Sequence, residues 1–414
     1  MQEYPLIPKK YTKNTKKLAI VYPNLYYGGV YSLGPLIIYN ITPENWICDR
    51  LFLDTTNNLQ YDLVGFTFQY ELDLINIKNL IKKHKPKITF AGGPVCNMNP
   101  KILKNIVDFQ ILGEVEEILP KILKLYTPNK TQFLKKIKEL PGIYTGEKIT
   151  KTKSVNLDKN PYPLYQPLPR ILNKDFVFGN TFILEIERGC PYHCKFCPIH
   201  TIYSRPKYRS LTNIKKIIDQ GLKLNKRKKV TIYSASFTHP QKKQILQYLV
   251  QKQVKATIPS TKVEIFNNLE LLKLVKKLGQ KSLTTAPECN ESLRIKLGKY
   301  PKDALYFKFA EKAKQLNFNS LKLYFMLGIP TQTIKDLEET VIFINKIKEI
   351  FPKIYVSFNP FTPKKGTELE NMKFCDKKTL KNQIIYLKKN LKNIRMKIAS
   401  PNTALKVYKI MSTT

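Results

Sequence analysis

The sequence predicts an α/β protein in two parts: a doubly wound parallel sheet, then a partial barrel of six strand and helix units. Three observations carry this. Short apolar runs alternate with helical periodicity through both halves. Glycines and small polar residues gather just after those runs, and the two series are separated by a proline-rich stretch without periodicity, Thr127 to Phe178.

In the first series Lys17 to Tyr22 reads as a buried strand closing on Pro23-Asn24. Tyr61 to Phe66, Lys87 to Ala91 and Phe109 to Leu112 follow, the last before Gly113-Glu114-Val115-Glu116-Glu117, whose carboxylates suit a helix's first turn. Tyr26-Tyr27-Gly28-Gly29, Gly65 to Tyr70 and Gly92-Gly93 fall at strand ends, where a doubly wound sheet places its ligand. Neither G-x-G-x-x-G nor a P-loop occurs there. In the second series strands are expected at Thr181–Ile186, Val230–Tyr233, Lys255–Ile258, Ser282–Thr285, Leu321–Leu327 and Ile354–Phe358. Helices alternate with them at Asn213–Leu222, Lys243–Gln251, Leu269–Leu278 and Ile334–Ile347. The polar clusters Ser234-Ala235-Ser236, Pro259-Ser260-Thr261, Ala286-Pro287-Glu288, Gly328-Ile329-Pro330 and Asn359-Pro360-Phe361 all fall at the strands' carboxyl ends, the active face of such barrels. The division expected is 1–126, a linker at 127–178, the barrel at 179–370, and a lysine-rich helical tail at 371–414, helical from Lys377 to Lys392 and then apolar and strand-like, which could close the barrel's open side.

Composition frames the chemistry. The chain has 414 residues, 43% hydrophobic, enough for packed cores. The start, Met1 to Lys10, has no apolar segment of signal-peptide length, and no stretch approaches about 18 uninterrupted apolar residues, so a cytoplasmic protein without a membrane span is expected. Lys and Arg number 71 against 31 Asp and Glu, a formal charge of +40 that favours polyanionic partners, RNA first. The lysines are spread over nearly every helix, as a general lysine bias would also place them.

The sharpest signal is Glu-Arg-Gly-Cys-Pro-Tyr-His-Cys-Lys-Phe-Cys-Pro, which sets Cys190, Cys194 and Cys197 within eight residues after an apolar run. Three thiolates from one loop hold three irons of a [4Fe-4S] cluster and leave the fourth open. A zinc site would need His193 or His200 to complete it. A disulfide framework suits neither the odd total of seven cysteines nor the scatter of Cys48, Cys96, Cys289 and Cys375.

The C-x3-C-x2-C pattern with an aromatic before its last cysteine resembles the radical S-adenosylmethionine (SAM) superfamily. Tyr22 to Tyr26, Val64 to Glu71, Ala91 to Pro94, Gly113 to Glu117, Glu185 to Cys190, Thr285 to Glu288, Lys322 to Thr331 and Pro363 to Thr367 extend the likeness. Together they resemble a branch with an amino-terminal cobalamin-binding-like domain, related to the methylthiotransferase and cobalamin-dependent groups. The resemblance implies a cluster on Cys190, Cys194 and Cys197 whose open iron takes SAM, reductive cleavage of the sulfonium to a deoxyadenosyl radical, and an electron donor such as ferredoxin or flavodoxin. It implies SAM contacts from Phe196, from Ser234 and Ser236 at a strand end that lacks the family's glutamate, from Glu288 and Arg294, and from Gly328 beside adenine. Asn24 to Gly34 lacks the family's cobalt-ligating histidine motif, so any cobalamin would bind without a protein histidine. Only Cys48 and Cys96 occur in the first domain, which argues against sulfur insertion. The implied activity is functionalisation of an unactivated carbon, such as methylation of RNA. The alternatives are a small metabolite or lipid as substrate, and a non-enzymatic iron–sulfur RNA-binding protein.

Overall fold

The computed structural model describes residues 3–5, 15–258 and 260–412. Pro259 and most of the Met1–Lys10 stretch, on which two of the expectations above fall, lie outside the described residues. The first part is a six-stranded sheet in the order Trp46–Phe52, Lys16–Tyr22, Leu63–Thr67, Thr89–Gly92, Phe109–Ile111 and Ile143–Tyr144. All pairs are parallel except the last. Chain order reverses between Lys16–Tyr22 and Leu63–Thr67, which is the switch point where a ligand crevice forms.

Two of these strands escaped the sequence reading. Trp46–Phe52 carries Asp49 and Arg50 in its middle, a polar interior tolerable only at a sheet edge. There Asp49 accepts from the Tyr61 hydroxyl at 2.9 Å and Arg50 pairs with Glu3 at 2.8 Å. Ile143–Tyr144 lies inside the expected linker; with the helix Lys130–Ile137 it extends the first unit past residue 126. Two residues are too few to show a period, and pairing with Gln110 and Ile111 alone defines them as a strand.

The second part is an open barrel of two parallel arcs. Phe182–Glu185, Lys229–Tyr233 and Lys255–Thr257 form one; Ser282–Glu288, Ser320–Leu327, Ile354–Pro360 and Arg395–Ile398 form the other. Main-chain and side-chain bonds span the break, from Thr261 N to Thr284 O at 2.8 Å and from Ile258 N to Gln280 Oε1 at 2.8 Å. The seventh strand, Arg395–Ile398, comes from the part of the tail after Lys392 that reads as strand-like, and it extends the second arc. Its exposure alternates, and it follows the helix Lys377–Asn390 as a further helix and strand unit.

Local sequence explains the helices. Leu211–Asn225 starts at Ser210, whose hydroxyl accepts from Asn213 N, and buries Ile214, Ile217, Ile218 and Gly221 along one stripe. A Cβ at Gly221 would come within 2.2 Å of the Phe182 ring, so glycine lets this helix lie against the first barrel strand. Ile334–Ile350 is held by a capping box between Thr333 and Asp336. The last helix, Pro401–Met411, crosses back to the first domain: Met411 joins its core, and Asn99 donates to the Met411 carbonyl at 3.2 Å.

Candidate active site at the cysteine loop

Beyond Phe182–Glu185 the short strand Glu187–Arg188 pairs antiparallel with Lys207–Tyr208, so both ends of the cysteine loop are clasped together. Gly189 makes the turn at φ 83°, where a Cβ would meet the Arg205 carbonyl at 3.0 Å. Cys190, Cys194 and Cys197 are free and half-buried, and Cys197 N donates to the Cys194 carbonyl at 3.0 Å. Burial pushes the Cys194 thiol up while Lys299 and Lys262 pull it back; burial, with its neighbouring thiols, also raises Cys197. A positive centre bound by all three would offset that burial by holding them as thiolates. His193 and His200 stack on each other at 4.1 Å, and His200 bonds the Tyr192 carbonyl at 2.6 Å. Among the described residues no three His, Cys, Asp or Glu side chains close around one point as a single-ion site requires. A four-iron cluster takes one thiolate per iron, three of them from this loop.

The remaining expected site residues separate into those that face the loop and those used elsewhere. Phe196 packs against Cys289, Leu293, Leu297, Ile329 and Phe361 and, with Cys197, lines a cavity of about 450 Å³. Glu288, at φ 72° on the end of its strand, accepts from Lys299 at 2.9 Å. Burial works against the charge on Lys299, yet Glu288 holds its pKa above the usual lysine value. Arg294 does not reach this site. It is fully buried, with Nε on the Pro301 carbonyl at 2.9 Å, Nη1 on the Cys289 carbonyl at 2.8 Å, and Nη2 on Asp303. Its guanidinium lies over the Tyr306 ring at 4.9 Å, so every donor direction is spent inside the fold.

The Ser234 hydroxyl is also committed, donating to Glu187 and accepting from Ser236 N at 3.2 Å and Phe237 N at 2.6 Å. Ser236, 3% exposed, keeps a hydroxyl without a hydrogen-bond partner. Gly328 turns at φ 64° against Cys375 and Leu380, and its N–H goes to Gln332 at 2.9 Å and Gln383 at 3.0 Å. Its close approach is to Cys375 and to Leu380 on the helix Lys377–Asn390.

The site also contains groups the sequence reading did not single out. Glu187, 2% exposed, accepts from Thr238 N at 3.0 Å, supplying a carboxylate at the strand end that lacks one of its own. Lys299 joins Lys262, Tyr192, His193 and Cys194 around a second cavity of about 730 Å³. In a chain this rich in lysine, nothing marked Lys299 out before folding. The switch-point crevice lies on the loop's other side. Gly65, Gly92, Gly93, Gly113 and Glu114 line it from the sheet, and Glu185, Arg188, Tyr203 and Tyr233 from the barrel. Gly28 and Gly29 do not line it; they form the short helix Tyr26–Gly29 against Tyr22 and Phe52.

Comparison with known proteins agrees with this architecture. Residues 184–344 match the Radical SAM superfamily, and residues 50–145 match the amino-terminal region of radical SAM proteins. The chain is 29% identical over 407 residues to an uncharacterized protein of Methanocaldococcus jannaschii, covering 94% of this chain and 86% of that one. It is 28% identical over 173 residues to the hopanoid C-3 methylase of Methylococcus capsulatus, 39% of this chain and 32% of that protein. Among solved structures, the radical SAM methyltransferase TsrM of Kitasatospora setae, with cobalamin and a [4Fe-4S] cluster bound, superposes with a TM-score of 0.65 at 12% identity, over 86% of this chain and 74% of that one.

Proposed function

We propose that this chain, a radical SAM protein whose residues 184–344 form the radical SAM domain, methylates an unactivated carbon. One observation carries the reading: the crevice at the end of the first sheet is lined by Glu185 and Arg188, and Arg188 stands two residues before Cys190. A methyl carrier held at the strand ends would thus adjoin the loop that holds the cluster. Similarity to proteins named as a methyltransferase and a methylase supports the same chemistry.

When bound, the cluster and SAM supply reductive cleavage of the sulfonium, with the electron coming from a reductant such as ferredoxin or flavodoxin. Cys190, Cys194 and Cys197 hold the cluster. Glu288 and Lys299 fix charge beside Cys194, and Phe196 and Ser236 would contribute to holding SAM. A cytoplasmic, reducing setting suits exposed cluster chemistry. To a corrinoid the crevice would offer strand-end main chain and the carbonyl oxygen of Gln69, whose amide donates to Ser32, and a Cβ at Gly34 would meet nothing within 4 Å. No histidine is among the lining residues, so the chain would hold a corrinoid without imidazole on cobalt.

RNA is the substrate class that the charge of +40 favours. A small apolar metabolite or lipid is the second reading, favoured by the cavity beside Cys197 with Phe196, Met326, Phe361 and Val407 in its walls. The test is anaerobic turnover of reconstituted protein with methyl-deuterated SAM. Deuterated methyl appearing in a product alongside deoxyadenosine supports methylation; deoxyadenosine without label transfer overturns it. Added hydroxocobalamin, reduced by one electron to its paramagnetic Co(II) form, should bind without the electron paramagnetic resonance signature of a nitrogen ligand from protein.

A further inference from the structure

The loop that carries the three cysteines is held from outside its own domain. Arg188, two residues before Cys190 and 8% exposed, places Nη1 2.8 Å from Glu114 and 2.6 Å from Glu116, both on the turn that ends the strand Phe109–Ile111. Its other nitrogens reach Glu185, Nε at 2.7 Å and Nη2 at 3.1 Å. Lys207, on the strand paired with Glu187–Arg188, also contacts Glu114, and Arg209 reaches Glu185 at 3.2 Å. Three cations therefore face three carboxylates in a largely dry junction. The receiving turn is itself fixed: Gly113 N donates to Asn97 Oδ1 and Glu114 N to Thr152 Oγ1, each at 2.6 Å.

The geometry points to Arg188 as a positioning residue: through Glu114 and Glu116, the amino-terminal sheet sets the placement of Cys190. A planar guanidinium is needed, since one lysine ammonium cannot grip Glu185 with two parallel bonds and still span to the sheet. Groups that orient a metal's ligands typically govern affinity about tenfold to a hundredfold.

This inference rests on the reading that the loop holds a cluster, and the experiment separates the two. In the cluster-free full chain, alkylation of Cys190 is timed by mass spectrometry against Cys375 as internal reference. Iron loss to a chelator is timed in the reconstituted protein. Wild type, Arg188→Gln, Arg188→Lys, Glu116→Gln and the Arg188→Gln/Glu116→Gln double variant are compared. Alkylation and iron loss should each rise about tenfold in Arg188→Gln and Glu116→Gln, no further in the double variant, and only in part in Arg188→Lys. Wild-type rates in the isosteric Glu116→Gln would overturn the role of the amino-terminal sheet even if Arg188→Gln failed to fold. Additive effects would show two separate structural defects and overturn the pairing. A wild type that takes up no iron would refute the cluster, while the thiol rates would still judge Arg188.

Discussion

Lys299 donates to Glu288 at 2.9 Å, and both side chains lie within electrostatic reach of the Cys194 thiol. The pair is mostly buried, with side chains 12% and 14% exposed, and it stands at the carboxyl end of the strand Ser282–Glu288. In the proposed function a zwitterionic cosubstrate would meet a matched cation and anion there, one for its carboxylate and one for its ammonium or hydroxyl groups.

Glu288→Gln and Lys299→Met should each weaken SAM binding by about 1.5 to 3 kcal/mol, roughly tenfold to a hundredfold. Arg294→Met should instead leave SAM affinity near wild type and lower stability by about 3 to 5 kcal/mol, because it strands Asp303 and two carbonyls. Equilibrium dialysis with SAM and urea unfolding separate the two effects. Lost affinity in a fully folded Arg294→Met would return that residue to the site.

Replacing Cys190, Cys194 and Cys197 together with alanine should abolish cluster iron and its charge-transfer absorption. The other cysteines cannot substitute: Cys48, Cys96 and Cys289 are buried, and Cys375 packs against Gly328. Iron analysis after anaerobic reconstitution checks this, and full retention of iron would refute the assignment.

Acid should loosen the junction between the two parts. Burial alone would raise Glu114, but Lys207, the Val155 N–H and Arg188 together hold its carboxyl below 4.5, the value of an unstructured glutamate. A depressed carboxylate contributes stability that is present above 4.5 and lost as pH falls through its lower folded value. Unfolding free energy should therefore fall as pH drops below 4.5, and less steeply in Glu114→Gln. Identical slopes in the two proteins would exclude Glu114 as a source of the acid sensitivity.

Bulk RNA should bind in a strongly salt-dependent way whether or not it is a substrate, so affinity decides nothing. A true RNA substrate should speed deoxyadenosine release when taken from cells lacking this gene, and not when already modified. Rates with the two pools are compared at fixed salt. Equal rates would favour the apolar cavity and a small-molecule substrate.

Much of this protein was written in local sequence. Cys190, Cys194 and Cys197 were legible as a cluster motif from their spacing, because the three thiols lie on a single short segment. The five-strand core of the barrel from Lys229 to Pro360 was legible for a similar reason: Lys229–Tyr233, Ser320–Leu327 and Ile354–Pro360 carry short apolar runs, and all five strands alternate with periodic helices. Tertiary structure decided what depends on pairing. Trp46–Phe52 is an edge strand with a polar interior that gains its identity only from a neighbour. Arg294 looked like a ligand-facing cation from its distance to Glu288, but the fold turned it inward onto Asp303, and a helix's rotation about its axis is set by packing. Lys299 took the place beside Glu288, and Arg188 met Glu114 and Glu116 across 74 and 72 residues. Side chains that far apart carry no shared local signal; only closure of the two sheets onto one junction, where each buried charge must find its opposite, brings them together.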